Sequence, residues 1–298
     1  MTAAADPSAL VPTARPAQPQ SVVRQLWRNI AHDPLTLFFF FVLLGVGFVA
    51  VFADVISSYN PVEQSLLAVN EAPTAEHWLG TDQFGRDVLA RIIYGSRTSL
   101  ILGLLSPALA ALIGTALGLI GGYFGGWPDR VLGRIVDLLL AFPALLLGIL
   151  VAAALSSGFW SMVAVIIIAF APRFARIARA STLTLRNEPF IEAAIAAGVS
   201  HSRIILRHIL PNIAGPVVVV LTLWIATAIR LEATLSFLGM GTQPPQPSWG
   251  NIIRDGLSNM YGSAWPIIGA GLAITITVLA FNMIGDAVRD VLDPETRA

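Results

Sequence analysis

Runs of uncharged, mostly apolar residues alternate along the chain with short charged segments, and the charges mark where each run stops. Crossing the hydrocarbon core as a helix takes about 20 apolar residues. Twenty uncharged residues separate Asp33 from Asp54, with four consecutive phenylalanines at 38–41. Thirty-one separate Arg97 from Asp129, and 35 fill the stretch 138–172. Ser156, Ser157 and Gly158 interrupt that stretch, so it divides there into two spans. The second of these has only 14 uncharged residues, 159–172, before Arg173. It must run on toward Arg176 or Arg179, whose long side chains snorkel to the interface. A fifth span lies in the 21 residues 209–229, with its start near Ile213, and a sixth in 256–285, starting near Trp265. The pattern predicts an all-α integral membrane protein with six transmembrane helices.

Composition agrees with the pattern. Of 298 residues, 55% are hydrophobic and 12% charged, against about 25% charged in an average soluble domain. There is no cysteine, which removes disulfides, thiol nucleophiles and thiolate metal sites. Eighteen basic and 18 acidic residues balance, so binding to nucleic acid through bulk basicity is excluded. Residues 1–31 are rich in Ala, Pro, Gln and Ser and read as a flexible tail. The first span reads as an uncleaved anchor. Arginine placement sets the orientation. With the N-terminus inside, thirteen arginines lie on the inner side, and Arg86, Arg91, Arg97 and Arg254 lie outside, with Arg230 near the outer end of span five. Both termini are then cytoplasmic. Pro107, Pro143, Pro172 and Pro216 fall within or beside spans, where neighbouring helices satisfy the freed carbonyls.

Two connections exceed the two to eight residues usual between helices. One, at about 57–97, lies outside; the other, at about 172–211, lies inside. Forty residues is too few for a domain with its own core, which leaves docking as the better use of the inner loop. Asn187 is placed to cap a short helix opening at Glu188-Pro189, and Gly198 to stop it in a left-handed turn. Ser200 is placed to cap a second short helix, 201–210, ending at Pro211. The alanines admit close approach by a partner, while Arg203, Arg207 and His208 offer charge. A short amphipathic pair of this kind also suits lipid headgroups, and spacing alone leaves both readings open.

At this point the residues resemble a family. Glu192-Ala193-Ala194-x-x-x-Gly198, followed by His208-x-Leu210-Pro211, resembles the EAA loop of bacterial ABC-importer permeases. His208 stands where the usual pattern has an apolar residue. Leu79-Gly80-Thr81-Asp82-x-x-Gly85-Arg86-Asp87, Leu235-Ser236-Phe237-Leu238-Gly239-Met240-Gly241, Pro247-Ser248-Trp249-Gly250 and Asn282-x-x-Gly285-Asp286 look like the dipeptide/oligopeptide permease branch. The resemblance covers residues 35–295, and the long outer loop suggests the C-type subunit. It implies the type I importer permease architecture: a tail at 1–31, a first helix and outer loop at 32–97, a permease core at 98–288 and a C-terminal tail at 289–298. It further implies an inner-membrane subunit working with a second permease as a heterodimer, two ATP-binding subunits and an extracytoplasmic binding protein that delivers short peptides. Relatives handle nickel complexes, glutathione, opines, sugars or haem, so the cargo has alternatives.

On that resemblance the ATPase-coupling residues are Glu192, Ala193, Ala194, Gly198, Arg203, Arg207, His208, Leu210 and Pro211, with Glu232 a candidate for the pathway or its gate. No HExxH, P-loop or Gly-x-Ser-x-Gly sequence appears, so ATP and Mg belong to partner subunits, and this chain needs no cofactor of its own. His32, His77, His201 and His208 are too scattered to suggest a metal site. Arg173, Arg176 and Arg179 recur on one helical face and suit anchoring at the inner interface better than a phosphate site. Few central charges are predicted, which argues against a proton-coupled secondary transporter.

Overall fold

The computed structural model describes residues 22–292, and all the helical and strand-like order among them is helix apart from one isolated bridge between Thr81 and Asp87. Helix α1 (Val22–His32) is amphipathic, burying Ile30 and exposing Trp27, so residues 22–31 are not the flexible tail expected from composition. The rest of that tail, 1–21, lies outside the described residues, as do 293–298. Asp33 ends α1 and caps the next helix, its carboxylate accepting the amides of Leu35 and Thr36, with Pro34 where its missing donor costs nothing. That helix is α2 (Pro34–Val51), followed by the single turn α3 (Ala53–Ile56).

Among the described residues, five helices are long and apolar enough to cross a membrane: α2, α4 (Val88–Phe124), α7 (Phe159–Arg186), the run His201–Phe237 and α12 (Trp265–Leu292). The predicted third span is different. Helix α5 (Gly126–Leu140) and α6 (Ala144–Ala154) meet at a 98° bend. At 1.5 Å per residue the 11 residues of α6 reach about 16 Å, half of a bilayer core. Pro143 explains the break, since it denies a donor to the helix and pushes Phe142 out of the helical region. A sixth crossing among the described residues would have to be made by this bent pair, of which only α6 carries the apolar run.

Helix α4 starts at Val88, nine residues before the Arg97 boundary, because Asp87 caps it by accepting the Ala90 amide at 2.6 Å. Its seam with α7 is the most extensive helix pair among the described residues. A Cβ on Gly114 would lie 2.3 Å from the Ala171 carbonyl oxygen, and one on Gly118 would lie 2.4 Å from that of Ala175. Only glycine admits this approach, the small-residue packing that membrane helices use in place of a hydrophobic driving force. Around the seam, Leu102, Met162, Ile166, Phe170, Phe174 and Leu235 form one buried cluster. Helix α12 continues to Leu292, so residues 289–292 are helical rather than tail.

The connection after α7 also departs from expectation. Asn187 closes α7 as its C-cap, and Glu188 stands as the N-cap of α8 (Pro189–Ala196) without a side-chain bond. Ser200 opens α9 (His201–Ile204), again without a side-chain cap. The second short helix does not end at Pro211. A π-helical turn, Ile205–Ile209, carries it directly into α10 (Leu210–Phe237). Pro211 falls in the first turn of α10, and the wider turn before it makes room for the ring. Helix α11 (Trp249–Ser258) lies between α10 and α12, opened by a capping box of Ser248 and Asn251.

Candidate functional site

The arginine-rich face carries the helix pair α8–α9. Ile191, Ile204, Ile209 and Ile213 are each at most 1% exposed and pack with Leu119, Tyr123 and Ala178 at the ends of α4 and α7. Each such burial contributes about 1.5–3 kcal/mol, so four isoleucines, one each from α8, α9, the π turn and α10, seat the pair firmly. Tyr123 adds a 2.7 Å hydrogen bond between its hydroxyl and Nδ1 of His201.

Between the helices the chain reverses at Gly198, φ +75°. The Gly198 amide donates to the Ile195 carbonyl at 2.9 Å, and the Val199 amide donates to the Ala194 carbonyl at 3.1 Å, a Schellman motif. Open space surrounds the position of a Cβ there, so backbone conformation alone demands glycine.

With the isoleucines turned inward, Glu192, Ala193, Ala196, Ala197 and Gly198 are exposed, as are Arg203, Arg207 and Pro211. Ala194, His208 and Leu210 are half-buried, and the His208 carbonyl accepts from Asn212 Nδ2 at 2.6 Å. The Glu192 carboxylate has no partner among the described residues. Of the nine sequence-predicted residues of this loop, Glu192, Ala193, Ala194 and Gly198 lie on α8 and its turn and Arg203 on α9, while Arg207 and His208 lie on the π turn and Leu210 and Pro211 open α10. Glu232 stands apart, fully buried on α10, where it accepts from Ser236 at 2.7 Å and Ser99 of α4 at 3.2 Å. Arg230, two residues away, is exposed and donates to Thr227 at 3.2 Å.

The opposite face holds a cluster that sequence reasoning did not assemble. Arg86 Nε donates to Asp82 at 2.7 Å, and Arg91 Nε lies 3.5 Å from the same oxygen. Asp255 of α11 lies 3.4 Å from Arg86 and 3.3 Å from Arg91. Asp82 also accepts the amides of Phe84 and Arg86, at 2.9 and 3.1 Å. His77 Nδ1 reaches Asp87 at 2.8 Å. Taking these charges out of water is tolerable only because each is paired, and the result welds the 57–87 connection to α4 and α11. The alternating acids and bases of 82–91 were a signal, but Asp255 is 169 residues away from Arg86 in the chain.

Comparison with known proteins follows this geometry. Residues 114–298 match the family described as "Binding-protein-dependent transport system inner membrane component", and residues 21–73 match "N-terminal TM domain of oligopeptide transport permease C". The chain is 40% identical over 275 residues to a dipeptide transport system permease protein, DppC, of Alkalihalophilus pseudofirmus, covering 92% of this chain and 90% of that protein. It is 39% identical over 293 residues, 97% of each chain, to a glutathione transport system permease protein, GsiD, of Pectobacterium atrosepticum. A putative peptide transport system permease protein of Brucella suis is 45% identical over 86% of each chain. Among solved structures, a chain of the MetNI methionine ABC transporter in an inward-facing form matches with a TM-score of 0.54 at 21% identity, covering 68% of this chain and 96% of that one. That likeness shows a shared fold.

Proposed function

Because the chain belongs to the family of binding-protein-dependent transport system inner membrane components, we propose that it is the C-type permease of an ATP-driven importer for short peptides. It provides half of a translocation pathway and pairs with a second, non-identical permease. Of the assembly's two ATP-binding subunits, one docks on the α8–α9 knob at the cytoplasmic face, and an extracytoplasmic binding protein delivers cargo to the opposite face. ATP and Mg are held by those partner subunits.

The observation that carries this reading is the knob itself. Its isoleucines fasten it to α4 and α7, its outward surface combines the small residues Ala193, Ala196, Ala197 and Gly198 with exposed Phe190 and Ile195 and the unpartnered Glu192 carboxylate, and its second helix runs into a spanning helix. A partner that displaces the knob moves α10 with it, a rigid-body switch driven by a ligand bound to another chain. Glu192 offers the polar contact at this surface and Arg203 and Arg207 flank it. For Glu232, the gate reading is replaced by a structural one: it locks α10 to α4 near the opposite face. Peptide cargo is favoured by the dipeptide and peptide systems of the relatives, with glutathione, itself a short peptide, as the nearest alternative.

The test is reconstitution of the purified assembly in liposomes with its binding protein. Dipeptide uptake that requires ATP, and that Glu192→Arg abolishes without loss of the chain from the membrane, is the expected result. Uptake driven by an ion gradient without ATP overturns the proposal.

A further inference from the structure

A cavity of about 310 Å³ opens among α4, α5 and α7 at the arginine-rich face. Glycines 118, 121 and 133 line its wall, where no side chain takes up the space. Four arginines and two aspartates surround it: Arg130, Arg134 and Asp137 with Asp129 from α5, Arg176 and Arg179 from α7. Four positive charges less two negative leave the lining at +2. Both acids are engaged. Asp129 accepts Arg179 through two oxygens, one bond being 2.7 Å, and Asp137 accepts Arg176 at 3.0 Å. Arg130 Nε reaches the Gly126 carbonyl at 3.3 Å, and no described carboxylate pairs with Arg130 or Arg134. These two stand four residues apart and so share a face of α5.

The setting indicates what fills the cavity. Helix α5 buries none of its residues, and the 98° bend turns it aside from α6. Its apolar side chains Trp127, Ile135 and Leu138 are 70, 50 and 63% exposed. An amphipathic helix with an exposed tryptophan and free arginines has the build of an element lying in the membrane interface. Basic pockets between helices at that level take anionic headgroups. We propose that this cavity binds the phosphate of an anionic phospholipid headgroup, with Arg130 and Arg134 as its direct ligands and the acyl chains lying along Ile135 and Leu138. Arg176 and Arg179 hold α5 in place through their aspartates and complete the positive wall. The inference does not depend on the importer reading, because lipid retention is measured without transport.

Purification of the native assembly in mild detergent, followed by native mass spectrometry, tests it. The wild-type assembly retains an anionic phospholipid. Arg130→Gln with Arg134→Gln lowers that retention roughly tenfold to thirtyfold, taking about 1 kcal/mol per arginine, while Arg130→Lys with Arg134→Lys keeps most of it. Should the glutamine variant fail to assemble, the delipidated wild-type assembly is titrated instead: phosphatidylglycerol raises its melting temperature and phosphatidylcholine does not. Equal retention by wild type and glutamine variant, or no preference for the anionic lipid, overturns the proposal. So does stabilisation by inorganic phosphate with none by phosphatidylglycerol, which would make this a free-anion site.

Discussion

Gly198 sits at φ +75° with nothing beside it, so a substitution there acts through the backbone alone. A side chain in the left-handed region costs roughly 1–2 kcal/mol, more when β-branched. Gly198→Val is therefore expected to reshape the knob while leaving the four isoleucine anchors and membrane insertion intact. On the proposed coupling role, ATP-dependent uptake in liposomes falls to background; normal uptake by this variant removes the case for the knob as the transmission surface. Glu232 makes a contrasting prediction. Its carboxylate serves Ser99 and Ser236 in a buried site, and removing it takes the acceptor from both hydroxyls, leaving Ser99 only the Trp249 amide it accepts, at about 1–3 kcal/mol for an unsatisfied buried group. Glu232→Ala should lower the melting temperature of the detergent-solubilised assembly clearly more than Ser99→Ala does. Arg97 adds a third case, donating to the carbonyls of Ala50 and Val51 and to Asp54 at 2.8 Å. That guanidinium, with the Tyr94 hydroxyl, holds the Asp54 carboxyl below its usual range. A depressed carboxyl contributes stability that is present above its unfolded pKa and lost as pH falls through the folded one. The clamp thus holds at pH 5 and loosens only below about pH 4, which amide exchange around 52–57 at pH 5 and pH 3 checks.

At the level of helices, the seam of α4 and α7 sets the sharpest demand on sequence. Gly118→Ala puts a methyl against the Ala175 carbonyl oxygen and the Ala178 Cβ, at 2.4 and 2.8 Å, so backbones must separate, at about 1–3 kcal/mol for overpacking. Gly271→Ala on α12 meets nothing within 4 Å and should be neutral or slightly stabilising, since alanine favours a helix over glycine by about 1 kcal/mol. Thermal unfolding of the two variants side by side reads the difference. Where the spans lie was legible before the structure, because Asp33, Asp54, Arg97 and Trp265 bracket apolar runs that have nowhere else to go. The Gly198 turn was legible too, from one glycine after an alanine helix. The bend at Pro143 was not, since other prolines within spans, Pro107 and Pro172, lie inside unbroken helices and the local sequence does not separate the cases. The passage through Pro211 was misread for a related reason: a proline that ends most helices here opens one, once a π turn precedes it. Arg91 reads as a loop residue until Asp255 meets it, a pairing that only tertiary structure supplies.

For the molecule as a whole, the two faces carry opposite kinds of surface: a seated helical knob at one, a charge-welded connection at the other. With no native cysteine, single reporters at Ser202 and Glu76 are free of background. The proposed orientation expects a membrane-impermeant maleimide to label Glu76→Cys on intact cells after removal of any outer envelope, and Ser202→Cys only after permeabilisation; the reverse pattern inverts the topology. Because α9, the π turn and α10 form one uninterrupted stretch of 37 residues, His201–Phe237, its length is near 55 Å at 1.5 Å per residue. Such a stretch is a crankshaft, and no relay of side chains need carry a message along it. On the proposed coupling role, a tilt imposed at the knob is expected to arrive at Glu232, and beyond it at the cap of α11, as displacement of one helical stretch. Softening the shaft should then separate the two ends: Val218→Gly with Val219→Gly, which keeps the helical register, would leave ATP hydrolysis running while cargo stays outside, an engine turning with its drive disconnected.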